Sequence, residues 1–519
     1  MSPHRTRVLR PALVLAVALT VSTLAGCSSS SDGGTTKATT TTPTGGTGET
    51  TTTAPRASRP AGPGAEFSPL SGGKGIALAA ATTGPPLSTV GYAEAEYEAA
   101  GTATAYRSKG DLPADGRFQL EPSTSADYAT RVVVRRPDAG TAFNGTVVIE
   151  WLNVSGGADA APDYTYLSAE LLRSGYAWVG VSAQRIGIEG GPVAVEAPGA
   201  DITGAGRGIK KLDPARYSKL SHPGDAYSYD IFTQVARGLR KPGKVDPLGG
   251  LGIKQVLAVG ESQSAFALTT YVDGVQPLTH EFDGFLIHSR GGAAAPLGQP
   301  GEGIDIAGTI GGKATKIRTD LDVPTIVVET ESDVLGILGY YPARQPDADE
   351  LRVWEVAGTA HADKFQIGSI EPMLGCKEPI NRGQQSYVLK AALAHLGTWA
   401  AGGDAPPKGT RLATDDSGAK PTYVLDGNGN VEGGVRTPAV DAPVDVLSGL
   451  AVPDATIICV LMGSTRALPA ATLAKDYASR QAYLDDYAKA ADAAIDVGFV
   501  LAADRKALLA DAQPDRIAG

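Results

Sequence analysis

From about residue 67 onward the apolar positions alternate between two periods. Thr130–Arg136 and Gly145–Trp151 are β-branched runs bounded by Pro137, Asp138, Gly140 and Gly145, which predicts two neighbouring strands. Tyr164–Ser174 spaces its apolar residues as a helix, stops at Gly175, and leads into Ala177–Val181 as a further strand. The alternation recurs through helix Tyr227–Arg240, strand Gln255–Val259, helix Ala265–Val272, strands Phe282–His288, Thr325–Glu329 and Leu351–Val356, and helix Ser386–Ala400. Continuous apolar strands separated by helices imply an α/β fold, a mostly parallel sheet covered by helices on both faces. No internal repeat is present.

Gly/Pro-rich stretches break the alternation at 184–223 and 291–320, each directly after a strand, where the crevice of such a sheet lies. They are candidates for a lid or pocket wall. A third excursion at 402–453 contains Tyr423–Val431, which reads as a hairpin on an Asp-Gly or Asn-Gly turn. The last 45 residues read as two surface helices.

The N-terminus follows neither period. Arg5, Arg7 and Arg10 precede an apolar run, Ala12–Val21, and then Leu24-Ala25-Gly26-Cys27. The run is shorter than the roughly 20 residues of a bilayer span, so it reads as a cleaved export signal with a lipobox, residues 1–27. Small residues before Cys27 let the bond lie extended in a peptidase cleft, and the thiol would accept a diacylglycerol. The protein is thus expected outside the cytoplasm, held to the membrane through Cys27. Residues 28–64, rich in Ser, Thr, Gly and Pro, cannot bury enough surface to offset their ordering entropy and read as a tether. Residues 65–519 form the folded domain.

The 46 Lys+Arg and 56 Asp+Glu give a net charge of -10; cleavage before Cys27 removes three arginines and no acid, leaving -13. An acidic body without clustered cations argues against a nucleic-acid partner. Three cysteines in 519 residues exclude a disulfide-dense scaffold. No C-x-x-C or H-E-x-x-H motif marks a metal site, and no cofactor is expected.

The candidate chemistry sits at Gly260-Glu261-Ser262-Gln263-Ser264, between a strand and a helix. A serine among small residues at so tight a turn presents its hydroxyl at a helix N-terminus, where a developing anion is favoured. Ser264 stands where a second glycine is usual, and it is still small. A serine hydroxyl needs a base, and in the α/β-hydrolases, whose nucleophile turn this segment resembles, the order serine, acid, histidine restricts that base to His280, His288, His361 or His395. His361 is favoured because it follows a strand through the small-residue loop Ala357–Ala360, while His395 lies inside a helix. The acid falls in Glu329-Thr-Glu331-Ser-Asp333 at a strand end, Asp333 ahead of Glu331. Acyl transfer also needs two oxyanion donors. One would be the Gln263 N–H; the other comes from the Gly-rich loop 152–157, with Asn153 or its successor as the candidate.

These residues, with Tyr128–Arg131, Phe143–Ser155, Pro379–Asn381, Gly434–Pro438 and Gly463–Thr465, resemble the α/β-hydrolase superfamily and, more closely, bacterial secreted proteins named for an α/β hydrolase domain. The resemblance runs from about Ala93 to the C-terminus. It implies one catalytic domain with Ser262, Asp333 and His361 as partners, and fixes no substrate. Cys376 and Cys459 fall in its segments, and in an exported chain they are expected to form a disulfide. The implied activity is ester hydrolysis of a small molecule through an acyl-enzyme. Peptidase or acyltransferase chemistry on the same triad, and an inactive binding lipoprotein on the same scaffold, are the alternatives.

Overall fold

A computed structural model describes residues 58–80, 84–196 and 204–518. The expected signal, the Cys27 lipidation site and the tether up to residue 57 lie outside the described residues. The packed chain begins before the expected boundary at residue 64. Arg59 pairs with Asp283, and the Ala65 N–H donates to Gln234 O at 2.8 Å. Small residues permit this approach: a Cβ on Gly64 would come within 2.8 Å of the Gly238 nitrogen.

The main sheet has nine strands: β1 (Glu66–Pro69), β2 (Tyr92–Ser108), β3 (Leu120–Pro137), β4 (Thr146–Trp151), β5 (Ala177–Val181), β6 (Gln255–Glu261), β7 (Gly284–His288), β8 (Thr325–Thr330) and β9 (Leu351–Val356). They lie in the order β1-β2-β3-β5-β4-β6-β7-β8-β9. From β5 to β9 neighbouring strands run parallel, while β1, β2 and β3 are joined antiparallel at one side. The expected α/β sheet is therefore present.

The expected direct pairing of Thr130–Arg136 with Gly145–Trp151 is not. Val132–Arg135 pairs with Trp178–Val181 of β5, which lies between the two. The helical crossover after β4 places β5 beside β4, and only then can the antiparallel β3 join the edge.

Alternate residues of each central strand serve different cores. Val147, Ile149, Val256, Ala258, Phe285 and Ile287 face helices α2 (Ser228–Arg240) and α3 (Gln263–Thr270) through Phe232, Val235, Phe266 and Leu268. Val148, Leu257, Val259, Leu286, Ile326 and Val328 face helices α1 (Pro162–Arg173) and α4 (Gln385–Ala400) through Leu167, Leu171, Val388 and Leu393. The period of two thus fills both layers at once. The expected C-terminal pair of helices is Arg480–Val497 and Arg505–Ala510.

The first two insertions meet each other at Asp225. Its buried carboxylate accepts from the Arg185 N–H (2.7 Å), the Ile304 N–H (2.8 Å) and the Gln184 amide (3.2 Å). Ile186 and Ile306, one from each insertion, pack on Val154. The Ala194 and Val195 N–H groups both reach Ser155 O, so the first insertion is pinned to the loop after β4. The third excursion runs along β9: the Val435 N–H donates to Glu355 O at 2.6 Å and the Ala357 N–H to Val435 O at 3.0 Å. Its hairpin turn is closed by the Leu425–Val431 bridge, with Asp426 Oδ1 accepting from the Asn428 and Asn430 N–H groups. Among the described residues no helix is long and apolar enough to cross a membrane.

Candidate active site

Ser262 occupies the single residue between β6 and α3 with φ 59° and ψ -120°. A positive φ at a non-glycine residue costs on the order of 1–3 kcal/mol, and the surrounding packing holds it there. Its N–H donates to His288 O at 3.0 Å, and its carbonyl accepts the first helical bond from the Phe266 N–H at 3.1 Å. Gly260 is required by the sharpness of the turn. A Cβ there would come within 2.9 Å of Leu268 and 3.0 Å of the Ser264 side chain.

Two loops converge on the serine hydroxyl. His361, beyond β9, has Nε2 at 2.8 Å from Ser262 Oγ and Nδ1 at 2.7 Å from Asp333 Oδ1. Asp333 lies just past β8, and its other oxygen accepts from the Thr330 N–H (2.7 Å) and Thr330 hydroxyl (2.6 Å), closing a capping box. The His361 N–H is itself fixed by Ser332 Oγ at 3.1 Å. Burial pushes the Asp333 carboxyl up, but the His361 imidazole and the Thr330 bonds outweigh it and hold the group below its ordinary value. Burial pulls His361 down, whereas the Glu261 and Asp333 carboxylates pull it up and prevail.

The chain carries the sequence match of a family model described as "Alpha/beta hydrolase domain" over residues 59–510. This protein belongs to the alpha/beta hydrolase domain family. Among solved structures, the chain is similar to a putative dienelactone hydrolase from Klebsiella pneumoniae at 13% identity, over 59% of this chain and 98% of that one, with a TM-score of 0.30. It is also similar to an a/b serine hydrolase without lid from Xanthomonas campestris (12%, 54% and 96%, 0.26). A third likeness is to a fungal esterase from Rhizomucor miehei (12%, 58% and 85%, 0.28). No curated protein matches the chain.

In this hydrolase the rings of the other three candidate histidines have different neighbours. His288 Nδ1 bonds Asp163 Oδ1 at 3.0 Å with both side chains fully buried, His280 stands 3.7 Å from Asp322, and His395 Nε2 bonds Gly498 O at 2.8 Å. Glu331, the alternative acid, is a clamp. Its two oxygens accept from the Gly358 N–H (2.6 Å) and the Gly449 N–H (2.8 Å), so it ties the His361 loop to the third excursion. Burial, partly offset by those two bonds, pushes its carboxyl up to about 7.

Asn153 does not fit the second oxyanion donor. Its N–H is spent on Ala160 O at 2.9 Å, and its side-chain amide donates to Glu261 O and Glu261 Oε2. The N–H of its successor Val154 donates to the Gln263 side chain, meeting Oε1 at 3.2 Å. The Gln263 N–H, the first of α3, belongs to the helix-end donors that lack an intrahelical partner.

Sequence reasoning passed over Glu261, although it is printed inside the motif. The side chain is almost fully buried, and Oε1 stands 3.1 Å from His361 Nε2. It also gave no weight to Gln184, which accepts from the Trp151 indole at 3.1 Å and from the Gln263 amide, linking the nucleophile turn to the first insertion. Cys376 and Cys459 are bonded, with Cα atoms 5.5 Å apart. Among the described residues no group of three or more His, Cys, Asp or Glu side chains is arranged to hold a metal ion.

Proposed function

We propose that this hydrolase cleaves carboxylic esters through an acyl-enzyme on Ser262. The reading is carried by one observation: a strained serine whose Oγ lies 2.8 Å from an imidazole that a buried carboxylate holds at 2.7 Å on its other nitrogen. Ser262 Oγ attacks the ester carbonyl as its proton passes to His361 Nε2. Asp333 keeps the Nδ1–H tautomer and faces the positive charge that forms on the ring. The carbonyl oxygen becomes an anion between the Gln263 and Val154 N–H groups, displacing the neutral Gln263 amide oxygen because a charged acceptor binds an N–H more strongly. His361 then gives its proton to the leaving alcohol, and water repeats the sequence on the acyl group.

The support for an extracytoplasmic site of action is the signal with its lipobox at Cys27, together with the Cys376–Cys459 disulfide, which belongs to oxidising compartments. Labelling with a fluorophosphonate probe tests the nucleophile. Wild type should label and Ser262→Ala should not, and ester turnover by Ser262→Ala should fall on the order of 10⁶-fold. Equal labelling of both proteins refutes the assignment.

A further inference from the structure

His361 Nε2 faces two oxygens, Ser262 Oγ at 2.8 Å and Glu261 Oε1 at 3.1 Å. With Nδ1–H given to Asp333, a neutral imidazole offers only a lone pair on Nε2. A carboxylate oxygen set against that lone pair would place two acceptors face to face in a buried site. A proton between them removes the conflict, either as a Glu261 acid donating to Nε2 or as an imidazolium donating to the Glu261 carboxylate.

We propose that Glu261 is a positioning residue that shares one proton with His361 Nε2, so that the ionisation of the pair, and not of the imidazole alone, switches Ser262 on. This rests on the reading of Ser262 as nucleophile. While the shared proton is present, the Nε2 lone pair is occupied and the serine proton has nowhere to go. Once it has left to solvent, Glu261 is a carboxylate and Nε2 is free. Ser262 Oγ–H then gives its proton to Nε2 as the Oγ–C bond forms and the carbonyl π pair moves to oxygen. In that intermediate the Nε2–H lies between the reacting oxygens and the Glu261 carboxylate, which shares its charge with Asp333. Collapse breaks the ester C–O bond, the leaving alcohol oxygen takes the Nε2 proton, and Glu261 ends as it began.

The surroundings hold Glu261 in this role. Asn153 Nδ2 donates to its second oxygen at 3.2 Å, leaving Oε1 for the imidazole. The titratable groups facing it are His361 beyond β9, Asp333 beyond β8, His288 at the end of β7, and Asp163 and Tyr166 of α1. Burial pushes its carboxyl up, the two imidazoles pull it down, and the Asp163 and Asp333 carboxylates add to the rise, leaving it at about 7.

The test is the pH profile of kcat/KM for p-nitrophenyl acetate in wild type, Glu261→Gln and Glu261→Asp. An uncharged amide removes the anion that holds the proton on the pair, so the acidic midpoint in Glu261→Gln should fall by about one unit, tenfold in proton concentration, with a lower plateau. Glu261→Asp, whose charge is withdrawn by one methylene, should lie between the two and reads the same shift if the Gln variant fails to fold. A midpoint unchanged in the folded variants overturns the proposal. Wild type that takes no fluorophosphonate label marks instead a failure of the Ser262 reading. Labelled wild type, unlabelled Ser262→Ala and an unmoved midpoint mark the failure of the Glu261 role alone.

Discussion

Asp333→Asn puts a single proton in the wrong place, and the structure dictates which way the new amide must face. Asp333 Oδ2 accepts from the Thr330 N–H at 2.7 Å, so the amide oxygen has to remain on that side. The flipped amide would set an NH₂ against the N–H and leave buried donors unpaired, at about 1–3 kcal/mol for each. At about 2 kcal/mol the correct orientation dominates by roughly thirtyfold. The NH₂ therefore faces His361 Nδ1, now 2.7 Å from a donor where it had an acceptor, and the ring must hold its proton on Nε2. Glu261 Oε1, 3.1 Å from Nε2, stabilises that same wrong tautomer. A His361 protonated on Nε2 cannot take the serine proton, and the equivalent substitution in serine proteases lowers kcat about 10⁴-fold, or about 5.4 kcal/mol at 1.36 kcal/mol per decade. Steady-state turnover of p-nitrophenyl acetate reads the rate, and ¹⁵N spectra of labelled histidine read the tautomer. A loss below about tenfold with the Nε2–H tautomer present would refute the reasoning.

Asp225→Ala should leave the Arg185 and Ile304 N–H groups unpaired, costing about 2–6 kcal/mol at about 1–3 each, and limited proteolysis should then cut first within 184–223 or 291–320. Glu331, pushed up by burial to about 7 from an ordinary carboxyl value of 4.5, binds more protons folded than unfolded between those values, so its contribution to stability falls as pH rises across that window. Glu331→Gln should flatten this part of the melting-temperature profile yet melt lower at its acid end, because one of the Gly358 and Gly449 N–H groups then meets an NH₂. Cys376→Ser opens a loop of 83 positions and should cost up to about 4.5 kcal/mol in the chain-entropy account, measured by denaturant unfolding; an unchanged midpoint would remove the disulfide's structural role.

The reacting groups were legible because each carries a local reason written in the chain. Gly260 and Ser264 leave room for the turn at Ser262, Asp333 closes a capping box with Thr330 at a strand end, and His361 follows a loop of small residues. What was hidden depends on distant partners. β2 escaped notice because Tyr92–Ser108 alternates Ala, Glu and Thr on a half-exposed strand rather than large apolar residues. The separation of β3 from β4 is set by the crossover, which local pattern does not contain. Asn153 and Val154 are adjacent in sequence, and only the contacts with Ala160, Glu261 and Gln263 tell their two N–H groups apart. Glu261 was overlooked for the same reason: its meaning is the imidazole that arrives from a hundred residues away.

The third excursion matters for what the sheet cannot do. A nine-stranded sheet has two rims of unpaired backbone groups that could recruit a second chain. One rim is β1, four residues long, beginning with Glu66 and ending in Pro69. The other, β9, has the 409–435 segment laid along it, with Val435 bonded to Glu355 and the Arg411 guanidinium on Val353 O at 2.5 Å. At its two ends, then, the main sheet presents a strand of only four residues on one side and a covered strand on the other.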